Sequence, residues 1–65
     1  MFEEIEKNIK YLTRILKKHN FEHKQIQYSY LPKGYWLLGI KEDRFLGDTL
    51  EKAEDYLIKY IKSHE

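Results

Sequence analysis

The chain contains no cysteine, a single proline and three glycines, and it has no long hydrophobic run. Without cysteine it has neither disulfide bridges nor cysteine-ligated zinc or iron–sulfur sites, which is typical of proteins in a reducing compartment. A membrane-spanning helix needs about 20 consecutive apolar residues. The acidic, amphipathic start of the chain also differs from the basic start of a signal peptide. We therefore expect a cytoplasmic protein.

The chain also lacks an excess of either charge, because 12 Lys and Arg residues are balanced by 11 Asp and Glu residues, which leaves a net charge of +1. Domains that bind nucleic acid over a large surface usually carry a strong basic excess.

At 65 residues the chain is near the lower size at which one domain folds unaided. We expect one domain over residues 1–65, with a protein as its partner. The excess of Lys over Arg suits an AT-rich genome, such as that of a mobile element or of a low-GC bacterium.

The first amphipathic helix is predicted from about Phe2 to about His19. Its apolar residues recur at alternating intervals of three and four, which places them on one face: Phe2, Ile5, Ile9, Leu12 and Leu16. Acidic residues near the start and basic residues near the end complement the helix dipole. Asn20 is suited to end this helix, since asparagine tolerates a left-handed backbone.

The second helix is predicted to begin at Asp48 or Thr49 and to end at about Lys62. Either Asp48 or Thr49 can cap the free amides at its start. Its buried stripe is expected to be Leu50, Ala53, Leu57 and Ile61. Tyr56 lies off this stripe, so we expect its ring to be partly exposed at the rim of the core.

Residues 26–40 are predicted to form a β-hairpin around a three-residue loop, Pro32 to Gly34. Proline presets φ at the first loop position, and glycine accepts a left-handed conformation at the last. This loop would pair Tyr30 with Trp36. It would also place six large apolar side chains on one buried face: Ile26, Tyr28, Tyr30, Trp36, Leu38 and Ile40.

The segment after the hairpin suits either a loop or a short third strand, and we favour a strand over residues 44–46. A hairpin of only two strands is marginal in water. With a turn at residues 41–43, Leu46 would face the core opposite Leu38, and Phe45 would shield Gly39 on the other face. The predicted fold class is α+β, in two layers. Two helices pack on one face of a small antiparallel sheet, in the order helix, hairpin, short third strand, helix.

The uncovered face of this sheet is the predicted functional surface. It would expose an apolar patch of a few hundred Å², a size that suggests an interaction site; the patch consists of Leu31, Tyr35, Leu37 and Phe45. We expect a small regulatory or interaction module that binds a protein partner there or at an unpaired strand edge, most simply a second copy of itself.

Nucleic-acid binding by the same face is the alternative interpretation. Tyr35 and Phe45 would stack on bases, and four candidate phosphate contacts flank them in the sequence: Lys24, Lys33, Lys41 and Arg44.

No catalytic, cofactor or metal motif is present. Ser29 and Ser63 lie outside any nucleophile motif, and the three glycines are dispersed, so no loop is suited to cradle phosphate. His19, Glu22 and His23 are close in sequence, but a helix ending at Asn20 would separate the two histidines. We therefore expect no enzyme, no bound cofactor or metal, and no small-molecule substrate.

The order helix, strands, helix is similar to that of double-stranded RNA-binding domains and of HicA-type toxins. Acidic residues Asp48, Glu51 and Glu54 stand at the start of the second helix, where the RNA-binding family has a basic cluster. The catalytic histidine of the toxins lies in a strand, whereas no histidine of this chain lies in a predicted strand. The resemblance is therefore confined to the order of elements, and it assigns no family.

Overall fold

The computed structural model describes residues 2–21 and 23–64 and contains two helices and three strands. In chain order these elements are α1 (Phe2–Lys18), β1 (Gln25–Tyr30), β2 (Lys33–Leu38), β3 (Asp43–Gly47) and α2 (Leu50–His64). The strands form one antiparallel sheet in the order β1-β2-β3. Both helices contribute buried residues to a core on one sheet face. The predicted α+β fold class and the third strand are confirmed.

The first helix ends where the sequence predicts, through a specific set of backbone hydrogen bonds. Asn20 has a positive φ of 65°. Its amide donates to the carbonyl of Lys17 at 3.2 Å, and the amide of Phe21 donates to the carbonyl of Leu16 at 2.8 Å. This pair of bonds is the Schellman motif, which satisfies carbonyls at a helix end. Phe21 then packs against the core.

The second helix is capped by Thr49, one of the two predicted caps. The Thr49 hydroxyl accepts a hydrogen bond from the amide of Lys52 at 3.3 Å, which satisfies a free amide of the first turn. Asp48 instead forms an ion pair with the Lys52 ammonium at 3.3 Å. The helix continues to His64, two residues beyond its predicted end.

The core lies between the helices and the sheet and consists of nine buried apolar side chains: Leu12, Leu16, Ile26, Tyr35, Leu37, Leu46, Ala53, Leu57 and Ile61. Five of these residues belong to the two predicted helical stripes. Ile5, Ile9 and Leu50 from the same stripes are partly buried against the core, while the side chain of Phe2 lies outside the described part of the chain. Tyr56 is 39% exposed, as predicted for the core rim.

The predicted register of the hairpin is wrong. The turn contains two residues, Leu31 and Pro32, joined by a cis peptide bond, as in a type VI turn. Tyr30 therefore pairs with Lys33 instead of Trp36, and Tyr28 pairs with Tyr35. The pairing is therefore shifted along β2 by an odd number of residues. Because side chains alternate between the two faces of a strand, every side chain of β2 points to the face opposite to the predicted one.

This change of face exchanges the core residues of β2. Tyr35 and Leu37 are buried, with 3% and 2% of their surfaces exposed, whereas Trp36 and Leu38 point away from the helices. Two further predicted core residues are exposed: Tyr30 by 67% at the end of β1, and Ile40 by 88% in the loop after β2. Ile26 and Tyr28 keep their predicted face.

The third strand pairs with β2 through a different register from the predicted one. Phe45 lies opposite Trp36, and Leu38 pairs with Asp43 instead of Leu46. The ladder is irregular where Leu46 is passed over between two paired residues, which is the pattern of a β-bulge. Leu46 is nevertheless buried in the core, as predicted.

Candidate interaction surface on the open sheet face

The sheet face that points away from both helices is the candidate functional surface, and we call it the open face. Strand alternation and the observed register assign eight residues to it: Gln25, Gln27, Ser29, Gly34, Trp36, Leu38, Asp43 and Phe45. None of these eight residues belongs to the core or to the partly buried side chains packed against it. The open face therefore has no helix of the described chain over it.

An aromatic pair occupies the centre of the open face. The rings of Trp36 and Phe45 meet edge to face, with their centroids 5.1 Å apart and an angle of 72° between their planes. This geometry is a favourable one for aromatic pairs. Phe45 remains 38% exposed, and Trp36 is half-buried. The centre of the open face is therefore an ordered and partly solvated apolar surface.

Hydrogen bonds connect this pair to the hairpin turn. The indole N–H of Trp36 donates to Ser29 Oγ at 2.8 Å, and the Ser29 hydroxyl donates to the carbonyl oxygen of Pro32. The polar atom of each side chain is thereby satisfied. The orientation of the indole is coupled to the turn that carries Leu31, which is 95% exposed.

The open face is poor in charge. Its rim on β1 carries the neutral amides of Gln25 and Gln27, both exposed. Asp43, at the end of β3, is the one charged residue at its strand positions, and its carboxylate accepts a long hydrogen bond of 3.4 Å from the amide of Gly39. The electrostatic field of the open face is therefore weak at its centre and negative at one corner.

Of the four residues predicted to bind a partner, two are exposed and two are not. Phe45 lies on the open face and Leu31 at the hairpin turn, but Tyr35 and Leu37 are buried under the helices. The prediction that these four side chains form one exposed patch is therefore wrong. Trp36 and Leu38, which were predicted to lie in the core, occupy the open face in place of Tyr35 and Leu37.

Three of the four candidate phosphate contacts converge, but away from the aromatic pair. Lys24, Lys41 and Arg44 line a cleft beside Tyr60 at the end of the sheet where β2 ends. Lys33 lies at the opposite end of β2, next to the turn. None of the four occupies a strand position on the open face.

Within that cleft Arg44 is held by two neighbours. A hydrogen bond to the Tyr56 side chain, followed by the charge of Glu42, raises the pKa of Arg44 above its ordinary value. The guanidinium donates to Glu42 at 2.7 Å. Arg44 is therefore a permanent positive charge at an ordered position.

Residues 2–21 and 23–64 were searched for metal-ligand clusters and for membrane-spanning helices, and neither is found. No three His, Cys, Asp or Glu side chains in those ranges are arranged to hold a metal ion, and Glu22 lies outside them. In the same ranges, neither helix combines the length and apolar character needed to cross a bilayer.

The chain was compared with protein-family models, curated protein sequences and solved structures, and none of them matches it.

Proposed function

We propose that this protein is a small non-enzymatic interaction module that binds a protein partner through the open face, and that the partner is a second copy of the chain. The observation that carries this proposal is the Trp36–Phe45 pair, which lies partly exposed at the centre of a sheet face that no described helix covers. Tryptophan and other aromatic residues are enriched in protein interfaces and often dominate their energetics.

The charge of the open face favours a second copy as the partner. In a two-fold symmetric pair the same surface meets itself, so any charge at its centre would face a like charge. Gln25, Gln27 and Ser29 carry no charge, and Asp43 lies at a corner, where two copies need not bring it close to its equivalent. Two open faces can therefore meet with little repulsion.

The size of the open face limits the strength of this contact. Three strands spaced about 4.8 Å apart, with six residues of about 3.3 Å each, cover roughly 300 Å². Stable interfaces bury about 800 Å² on each partner. We therefore expect weak, concentration-dependent dimerisation that also uses the exposed Leu31 at the adjoining turn.

Nucleic-acid binding has less support, because stacking modules combine exposed rings with a positively charged groove. Here the rings and the converging cations occupy different places, with Lys24 and Arg44 against Tyr60 on the helix side of the sheet.

Sedimentation at increasing protein concentration tests the proposal. The native chain should shift from monomer towards dimer. Gln27→Lys should suppress that shift, because it adds a positive charge next to Trp36 on each of the two faces that meet. Glu6→Gln, on the exposed side of α1, changes the net charge by the same amount and should leave dimerisation unchanged.

A second pair of variants separates apolar contact from charge. Leu31→Ser, at the turn that adjoins the open face, should weaken dimerisation. Ile40→Ser, which removes a similarly exposed side chain from the loop after β2, should not. A native chain that remains monomeric at every concentration would refute self-association. Equal weakening by the two serine variants would show that general hydrophobicity, and not the open face, causes any association.

A further inference from the structure

A second surface, separate from the open face, has the composition of an anion site. A cleft of about 500 Å³ lies between the sheet and α2, at the end where β1 begins and β2 ends. This volume is within the usual range of small-molecule sites, about 300–1,000 Å³. Its lining includes Lys24, Lys41 and Arg44.

Two of these cations are held against the same aromatic ring. The Lys24 ammonium lies 6.0 Å from the centroid of the Tyr60 ring, and the Arg44 guanidinium carbon lies 5.3 Å from it. The face of an aromatic ring attracts cations, so Tyr60 offsets part of the repulsion between the two charges. The ring is itself ordered by stacking on His64, with the centroids 4.1 Å apart.

The third cation, Lys41, lies in the loop between β2 and β3. A Cβ added to Gly39 would lie 3.0 Å from the Lys24 ammonium, so that ammonium is next to the loop that carries Lys41. The missing side chain at Gly39 allows this approach. Lys24, Lys41 and Arg44 thus converge from three separate segments of the chain.

The charge balance of the cleft is positive. Glu42 is the carboxylate among the described lining residues, and it is paired with Arg44 at 2.7 Å. Three cations and one carboxylate leave two positive charges, more than the +1 carried by the whole chain. The cleft lining is therefore a local concentration of positive charge, although the Asp43 carboxylate lies nearby, on the amide of Gly39.

The chemistry of the lining indicates which anion it suits. A guanidinium binds phosphate oxygens through two parallel hydrogen bonds, and ammonium groups add point charges around a dianion. Exposed Ile40, which also lines the cleft, offers an apolar wall for the part of a ligand next to its phosphate. We infer that this cleft binds the phosphate group of a small phosphate monoester, independently of contact at the open face.

A titration followed by two-dimensional NMR at low ionic strength tests this inference with adenosine 5′-monophosphate, inorganic phosphate and adenosine. The two phosphate-bearing probes should shift the amide signals of Lys24 and residues 39–44, and adenosine should not. Because the contacts are partly solvated, added salt should weaken binding.

Charge-removing variants locate the site. Arg44→Gln and Lys41→Gln should each weaken binding of adenosine 5′-monophosphate by about tenfold, the loss expected for one charge-assisted hydrogen bond. Lys41 is exposed in a loop, so its variant keeps the test valid even if Arg44→Gln unfolds the chain. Lys33→Gln removes the same charge at the opposite end of β2 and should bind normally.

Three results would overturn the inference. The first is the absence of any shift with either phosphate-bearing probe, and the second is a loss of affinity in Lys33→Gln equal to that in Lys41→Gln. The third is tighter binding of a single-stranded oligonucleotide that lacks a terminal phosphate, since the cleft would then serve a nucleic-acid backbone. None of these results depends on dimerisation, so the two proposals fail separately.

Discussion

The ring of Phe45 covers Gly34 from the neighbouring strand. A Cβ added at Gly34 would lie 2.6 Å from ring atoms Cε1 and Cζ and 2.5 Å from the carbonyl oxygen of Gly47. Aromatic shielding of a strand glycine was predicted from the sequence, but at Gly39. The ring reaches Gly34 because Phe45 pairs with Trp36, two residues further along the same face of β2.

We expect Gly34→Ala to destabilise the protein by about 1–3 kcal/mol. The added methyl group would meet both the Phe45 ring and the carbonyl oxygen of Gly47. The backbone at this position also has a positive φ of 153°, which residues other than glycine rarely adopt. Urea unfolding followed by circular dichroism measures the change. Gln27→Ala, on the same face but exposed, should change the free energy of unfolding by less than about 0.5 kcal/mol. Equal stability of the two variants would contradict the packing of Phe45 over Gly34.

A pair of tyrosine variants distinguishes the observed hairpin register from the predicted one. Tyr35→Ala removes a ring that is 3% exposed and whose hydroxyl accepts a hydrogen bond from Asn8 at 2.7 Å. It should cost about 3 kcal/mol or more, a large share of the stability of a chain this small. Tyr30→Ala removes a ring that is 67% exposed and should cost much less. Thermal unfolding of the two variants gives the comparison, and the predicted register would reverse their order.

The contact between Tyr11 and Glu54 predicts a loss of stability at alkaline pH. The Tyr11 hydroxyl donates to the Glu54 carboxylate and links the two helices. This hydrogen bond, with smaller contributions from desolvation and from the Glu54 charge, raises the pKa of Tyr11 above its ordinary value of 10.0. Below the ordinary value the phenol is protonated in folded and unfolded chains alike, so the stabilisation is fully present; it disappears as the pH rises through the higher pKa of the folded state.

Unfolding free energies measured from neutral to strongly alkaline pH test this prediction. The native chain should lose more stability over that range than Tyr11→Phe, because the variant has no hydrogen bond to lose. Tyr30→Phe, which changes an exposed tyrosine, should follow the native curve. A Tyr11→Phe curve parallel to the native one would show that the contact adds nothing to stability in solution.

The helices could be predicted from the sequence because their signals are local. The spacing of Leu12 and Leu16 defines a buried stripe, and Asn20 marks the end of its helix through a backbone conformation that few other residues adopt. Thr49 was one of two predicted caps, and the local hydrogen bond to Lys52 selects it. Each of these features depends on contacts within a few residues, so neighbouring letters carry enough information.

The face of β2 could not be predicted because alternation was absent. Residues 35–38 are Tyr, Trp, Leu and Leu, so both faces of this strand are apolar, and either Tyr35 with Leu37 or Trp36 with Leu38 could form the core. Only the length of the turn distinguishes the two arrangements. The sequence around Pro32 suits both a two-residue and a three-residue loop, and an error of one turn residue reversed the candidate site.

The convergence of Lys24, Lys41 and Arg44 could not be predicted from the sequence alone either. These residues were singled out as candidate phosphate contacts, but their meeting at Tyr60 depends on the position of α2 over the sheet, which is set by packing between distant segments.

By itself, therefore, the sequence determined the elements, their order and the two-layer α+β class, since hydrophobic periodicity and capping are properties of short segments. Only the tertiary structure decided which residues of β2 are buried, which aromatic rings lie on the open face and where the cations gather. Those outcomes depend on the length of one turn and on contacts between segments far apart in the chain.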